Sequence, residues 1–304
     1  MRREGGRVGP RTPGGSVEGR KDPGASHAGR AAKRRGLALA YRLSFALAVV
    51  ATVTSAAGLL FPGIFRDPAM TVGNARGTAL IVVVVAVPAL VVSMILAARG
   101  SLRARIVWAG ALAYVLYNSV FFAFAVAFNV LFLVYVAMFS LALWSLVALL
   151  VRMDADRLGA RFAPGTPVRP VAAYLLIIAA LFAAVWLKDI LPAIAANATP
   201  AALEGTKMLT SPVHVMDLSI TLPMCVLAGI WLWRRRPWGY VLSGVLLTML
   251  VIEAASIATD QVFGHLQDPA ASLGAVPVFV VLTLVGLVPL LVLLRDLRPD
   301  GRVG

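Results

Sequence analysis

Cysteine, histidine and charge are all scarce in this sequence of 304 residues. It has one cysteine, Cys225, and three histidines, so an intramolecular disulfide is excluded, and no Cys/His spacing typical of a zinc or haem site is present. We interpret Cys225, which lies in an apolar run, as a small buried residue. Only 14% of the residues are charged, which is too few to cover a soluble fold of this length with polar surface.

Motifs of common enzymes and of ATP-driven pumps are missing as well. The sequence contains no GxxxxGK phosphate loop, no GxSG motif, no HExxH zinc motif and no arginine ladder of the voltage-sensor type. These absences argue against an ATP-hydrolysing motor in this chain and against the common intramembrane proteases. We therefore predict no catalytic residue set, no cofactor and no metal site.

Apolar residues, by contrast, are abundant. They make up 60% of the chain, and the mean hydropathy is +0.87. Between Leu37 and Leu294 the charged residues divide them into runs about as long as a bilayer is thick, roughly 20 residues for 30 Å of hydrocarbon. Lipid is therefore the expected solvent for most of the chain. Each span should be helical, because in lipid an isolated segment satisfies its backbone groups only as a helix.

Counting the charge-free runs predicts an all-α integral membrane bundle of eight transmembrane helices. The run from Ile106 to Val151 holds 46 residues, about twice the length of one span. We therefore expect a hairpin of two helices there, turning near Phe128 and Asn129. The other six predicted spans are Leu43–Phe65, Gly77–Ala98, Pro170–Leu187, Leu218–Trp233, Pro237–Ile252 and Pro269–Leu294.

Lysine and arginine are distributed very unevenly between the two predicted sides of the membrane. With the N-terminus inside, 24 of the 28 basic residues fall on the cytoplasmic side, and only Arg66, Arg76, Lys188 and Lys207 fall on the outer side. Because positive residues stay cytoplasmic, we predict that both termini are cytoplasmic and that this is a multi-pass protein of the cell membrane. The net charge of +14 then reflects topology, and we predict no nucleic-acid partner.

The two ends of the chain differ from its middle. Residues 1–36 are rich in Gly, Arg, Pro and Ser and lack an apolar run, so we predict a disordered basic cytoplasmic tail that contacts anionic lipid headgroups. Residues 37–296 form the predicted membrane domain, and residues 297–304 a short cytoplasmic tail. The oligomeric state, and whether residues 1–36 belong to the mature protein, stay open at this point.

Polar residues near the outer side of the predicted bundle are candidates for a substrate or ion site. Asp217 and Glu253 each lie 17 residues from the arginine turn between the sixth and seventh spans, so both should stand roughly 25 Å above the inner boundary. Lys188 is expected at about the same height, and His214 shares a helical face with Asp217. They are candidates for an outward-facing polar pocket. Alternatively, all four lie in the outer interface, where Asp217, Lys188 and His214 mark helix ends.

Asn118 is a further candidate, because it lies with Tyr117 and Asn129 in the otherwise uncharged hairpin. Asparagine in lipid often forms a hydrogen bond to a neighbouring helix, so a packing role is the alternative to ligand contact. Prolines inside the predicted spans, among them Pro88 and Pro223, remove backbone donors and can kink their helices. Broken helices line transport sites, although ordinary membrane helices also carry prolines.

Four short blocks carry a resemblance to known proteins. They are Tyr117-Asn118, the block from Phe128 to Tyr135, the block from Asp217 to Pro223, and the turn from Arg235 to Tyr240. Together they resemble a set of uncharacterised multi-span membrane proteins of bacteria, over roughly half of the membrane region. That set has no assigned activity, so the resemblance implies no chemistry. It implies that Asn118, Asn129 and Asp217 are structural or functional fixtures.

Three functions from different classes are compatible with this sequence. The first is a carrier or permease-like protein that uses a pocket around Asp217 and Glu253. The second is a membrane-embedded enzyme that acts on a lipid-linked substrate at the outer face, with Asp217, His214 and Glu253 as acid/base or metal groups. The third is an accessory or sensory subunit that uses its basic tail. Base rates for eight-span proteins without enzymatic motifs favour the first.

Overall fold

The computed structural model describes the backbone of residues 23–298 and the side chains of residues 37–298. The predictions for the two tails fall largely outside these residues and stay predictions. The first helix, Pro23–Leu60, begins within the N-terminal segment. Over the described part of the chain the structure is helical, apart from loops and one isolated bridge between Phe162 and Leu297.

The prediction of eight membrane helices is confirmed for the described residues. Each of the eight is long and apolar enough to cross a bilayer, and we number them as spans 1 to 8. Their bounds are Leu37–Leu60, Ala69–Ala98, Leu102–Phe124, Phe132–Leu150, Val168–Ala196, Pro212–Trp233, Pro237–Gln267 and Val276–Asp296. This chain is therefore a multi-pass membrane protein. The cytoplasmic placement of its termini stays a prediction from the charge distribution.

The hairpin inside the long uncharged run turns where it was predicted to turn. Span 3 ends at Phe124 and span 4 begins at Phe132. The Asn129 side chain holds this connection, because it accepts a hydrogen bond from Leu131 N (2.9 Å) and donates one to Ala127 O (3.1 Å). Asn129 therefore acts as a turn residue in this fold.

Several helix ends differ from the ends of the charge-free runs. Span 2 begins at Ala69 and so contains Arg76, and span 5 continues to Ala196, beyond Lys188. Span 7 continues to Gln267, so Asp260 lies inside the helix and not in an outer loop. The reason is that a charged side chain ends an apolar run, whereas the backbone hydrogen bonds of the helix continue past it.

Spans 3 and 7 form the centre of the bundle. Two thirds (67%) of the most apolar window of each is buried inside the protein, against 17–39% for the other six spans. Span 7 packs unusually closely on span 2, because a Cβ atom on Gly73 or Gly77 would overlap the backbone of Phe263 or Asp260. These two glycines form a GxxxG pair, the motif that lets two membrane helices approach backbone to backbone.

Two of the proline-containing spans include a widened, π-helical turn just before the proline. The turn Val82–Ala86 precedes Pro88 in span 2, and the turn Asp217–Thr221 precedes Pro223 in span 6. Proline lacks an N–H group and its ring collides with the carbonyl four residues earlier, so the preceding turn must open. Because Asp217 begins the second of these turns, this irregularity helps to set the direction of its carboxylate.

Candidate functional site

A cavity of about 310 Å³ lies among spans 2, 3, 5, 6, 7 and 8. Asn118 and Glu253 line it from the half of the bundle away from the arginine-rich turns, because each lies 16 residues into its span, roughly 24 Å along the helix. Most of the wall is apolar or aromatic. Three carboxylates interrupt it, those of Asp217, Glu253 and Asp260.

Asp217 is held by two neutral donors from other spans. Its Oδ1 accepts a hydrogen bond from the Tyr117 hydroxyl of span 3 (3.1 Å), and its Oδ2 accepts one from the Trp186 indole N–H of span 5 (2.9 Å). Only 9% of the residue is exposed. Both oxygens are thus fixed by side chains that carry no charge, so they orient the carboxylate without neutralising it.

Glu253 is held on one oxygen only. Its Oε2 accepts a hydrogen bond from the Asn118 amide (2.7 Å), and the same amide nitrogen donates to Tyr114 O (3.2 Å) within span 3. Among the described residues no donor reaches Oε1. Because span 7 continues for 14 residues beyond Glu253, this carboxylate lies well inside the helix. Glu253 therefore does not mark the end of its helix.

Asp260 is the third carboxylate, and sequence reasoning did not select it as a candidate. It follows Glu253 by seven residues, so it lies on the same face of span 7, roughly 10 Å further along the axis. The Thr78 hydroxyl of span 2 lies 3.1 Å from both carboxylate oxygens and donates to one of them. The seven-residue spacing from Glu253, without a helix breaker between them, is the signal that would have revealed it.

The cavity is unbalanced in charge. Its lining contains the three carboxylates and no lysine, arginine or histidine, and within residues 37–298 every hydrogen-bond donor to these carboxylates is neutral. In a medium of low dielectric constant, charges of one sign without a partner are costly. Such a site is relieved by a cation that enters it, or by protons.

Three of the five residues proposed from the sequence meet at this cavity, namely Asp217, Glu253 and Asn118. Lys188 does not line it, and its side chain is exposed. The reason is rotational: Lys188 lies two residues after Trp186, which at 100° per residue places it on the other side of span 5. His214 is buried beside the Trp186 ring (4.7 Å between ring centroids) and lines a separate shallow groove with Leu203 and Ser211.

Trp186 is another lining residue that sequence reasoning missed. A single tryptophan in an apolar run has no pattern that separates a cavity residue from an interfacial one. The described residues contain no group of three or more His, Cys, Asp and Glu side chains placed to hold a metal ion. Cys225 is buried and free, in agreement with its interpretation as a small packing residue.

Comparison of the chain with models of protein families, with curated proteins and with solved structures gave no match. No family is therefore shown for this protein. Its function has to be inferred from the cavity, its three carboxylates and the helices that position them.

Proposed function

We propose that this protein is a carrier of cationic solutes, with its binding site in the cavity around Asp217, Glu253 and Asp260. The observation that carries the proposal is the imbalance of charge in that cavity: three carboxylates and no basic residue line it. A cation gains electrostatic free energy in such a site, and an anion loses it. We further propose that the site faces outward and that the protein resides in the plasma membrane.

The position of the carboxylates along span 7 supports a path rather than an isolated site. Asp260 lies nearer the end of the helix, and Glu253 lies roughly 10 Å deeper. A cation that enters past Asp260 would meet Glu253 and Asp217 next, without crossing a basic residue of the lining. Beyond them, the arginine-rich half of the bundle would have to open for release.

Two irregular helices offer places where such opening can occur. The π-helical turn in span 6 lines the cavity through Asp217 and Thr221. The π-helical turn in span 2, Val82–Ala86, begins four residues after Thr78, which also lines the cavity. A turn whose hydrogen bonds depart from the α-helical pattern bends at lower cost than a continuous α-helix. Transporters commonly place their sites at discontinuous helices of this kind.

The geometry favours the carrier over the enzyme and the accessory subunit. The enzymatic hypothesis needs His214, Asp217 and Glu253 around one substrate, but His214 lies outside the cavity lining. The accessory hypothesis depends on the basic tail, which lies outside the residues whose side chains are described.

The carrier is tested by electrical recording from proteoliposomes on a solid-supported membrane. Concentration jumps of Na⁺, K⁺, methylammonium and phenethylammonium are applied to the native protein and to Glu253→Gln and Asp217→Asn. We expect a current for at least one cation in the native protein, and its loss in both variants, because each substitution removes a negative charge from the site.

The matched control is Glu204→Gln, which makes the same chemical change in an exposed loop outside the cavity. It should leave the current intact. Currents absent for every cation in the native protein, or present and unchanged in Glu253→Gln and Asp217→Asn, would rule out a cation carrier that uses this site.

A further inference from the structure

One part of the cavity wall is built from aromatic rings. Phe182 of span 5 packs against Trp186 (5.9 Å between ring centroids) and against Phe279 of span 8 (6.3 Å). All three line the cavity. The indole N–H of Trp186 also donates a hydrogen bond to Asp217. The aromatic wall is therefore in direct contact with one of the carboxylates.

This wall is unsuited to a bare metal cation. Ca²⁺ and Mg²⁺ need six or more oxygen ligands, and even monovalent ions need several oxygens to replace their hydration shell. Here, of the oxygens on the two deeper carboxylates, three already accept hydrogen bonds from Tyr117, Trp186 and Asn118. The rest of the surface is mostly carbon. A cation whose surface is mostly apolar loses far less hydration than a metal ion when it enters this cavity.

We propose that the cavity recognises an organic ammonium ion with an aromatic or bulky apolar body. This inference rests on the proposed carrier function and names its substrate class. The ammonium group lies between Asp217 and Glu253, and the body lies against Phe182, Trp186 and Phe279. A cation near aromatic faces gains a further attraction from the ring quadrupoles. A cavity of about 310 Å³ is at the small end of ligand pockets, so the ligand is a small molecule.

The free oxygen of Glu253 adds a preference within this class. Asp217 already accepts a hydrogen bond on each oxygen, so it attracts the ligand mainly through its charge. Glu253 Oε1 has no donor among the described residues and can accept an N–H bond. A protonated amine should therefore bind more tightly than a quaternary ammonium ion of the same size, which has no N–H to donate.

Charge and aromatic body can be separated with three small probes. Binding of tritiated phenethylamine, which is charged at neutral pH, is measured on the purified protein by scintillation proximity. Unlabelled 2-phenylethanol, which keeps the ring but is neutral, and methylammonium, which keeps the charge but has no ring, serve as competitors. We expect phenethylammonium to compete at least tenfold more strongly than either.

Variants assign the binding to this cavity. Glu253→Gln and Phe182→Leu should each weaken phenethylammonium binding at least tenfold. Glu204→Gln and Phe45→Leu are the matched controls, since Phe45 is a lipid-facing ring that is 66% exposed, and they should bind as the native protein does. Phe182→Leu conserves an apolar side chain of similar size, and size-exclusion profiles check that every variant is folded.

The outcomes separate this inference from the carrier function. Currents with Na⁺ or methylammonium and no phenethylammonium binding would overturn the substrate class and leave the carrier. Phenethylammonium binding without any current would overturn the carrier and leave the binding site. Equal competition by 2-phenylethanol, or unchanged binding in Glu253→Gln, would overturn the inference, because the charge would then play no part in recognition.

Discussion

Two buried tyrosines on span 3 provide an internal comparison for the charge of Asp217. The Tyr117 hydroxyl donates to the Asp217 carboxylate, and the Tyr114 hydroxyl donates to the Ser256 hydroxyl. Both distances are 3.1 Å, and both tyrosines are at most 7% exposed. The two sites therefore differ mainly in the acceptor, which is a carboxylate in one and a neutral hydroxyl in the other.

The expected magnitudes follow from this difference. Removing a donor from a charged acceptor costs about 1.5–3 kcal/mol, whereas hydrogen bonds between neutral side chains in membrane proteins average about 0.6 kcal/mol. Tyr117→Phe should therefore lower the free energy of unfolding by about 1.5–3 kcal/mol, and Tyr114→Phe by about 0.6 kcal/mol. In an Asp217→Asn background, the cost of Tyr117→Phe should fall to about 0.6 kcal/mol, because only a neutral acceptor is left.

Reversible unfolding in mixed detergent and SDS micelles, followed by circular dichroism, measures all five proteins: native, the two tyrosine variants, Asp217→Asn and the double variant. If Tyr117→Phe and Tyr114→Phe cost the same, or if the cost of Tyr117→Phe does not change when Asp217 is replaced, then Asp217 carries no charge that Tyr117 stabilises. The electrostatic basis of the proposed site would then fail at this residue.

Three further predictions concern packing, ligand binding and topology. Gly77→Ala should destabilise the protein by about 1–3 kcal/mol, because the added methyl group meets the Asp260 backbone. Gly165→Ala, which adds the same group in open space, should leave the free energy of unfolding nearly unchanged. The same unfolding assay measures both variants, and equal destabilisation would contradict the close contact of spans 2 and 7. Phenethylammonium at about 100 times its Kd should raise the free energy of unfolding by about 2.7 kcal/mol. The neutral 2-phenylethanol at the same concentration should not produce this increase. An unfolding curve that phenethylammonium leaves unchanged would contradict its binding. In a Cys225→Ser background, Lys207→Cys should react with a membrane-impermeant maleimide in intact cells. Arg234→Cys should react only after the cells are permeabilised. The reverse labelling pattern would contradict the predicted topology.

The spans themselves were predictable because hydropathy is a local property of the chain. A segment that enters lipid must be apolar over about 20 residues and must be helical, whatever its neighbours are. The same reasoning placed the turn near Phe128 and Asn129, since 46 uncharged residues are too many for one span and enough for two. It did not place the helix ends, because a helix continues past a charge that can reach the interface or a polar partner.

The site was predictable only in part. Depth along a helix follows from counting residues, and counting placed Asp217, Glu253 and Lys188 at about the same height. Rotation about the helix axis relative to the other spans does not follow from counting. Lys188 and His214 have suitable depths, but the packing of span 5 turns Lys188 outward and leaves His214 behind the Trp186 ring.

By itself, then, this sequence determined that lipid surrounds most of the chain and that the chain has eight spans. It also determined that carboxylates, which cost free energy in lipid, lie in the outer part of the predicted bundle. All of these follow from the free energy of transferring each residue between water and lipid, which depends on the residue and its immediate neighbours. Only the tertiary structure decided which polar side chains meet. The contacts of Tyr117 and Trp186 with Asp217, of Asn118 with Glu253 and of Thr78 with Asp260 join residues 31 to 182 positions apart. Such contacts depend on how neighbouring helices are rotated and packed, including the close approach of spans 2 and 7.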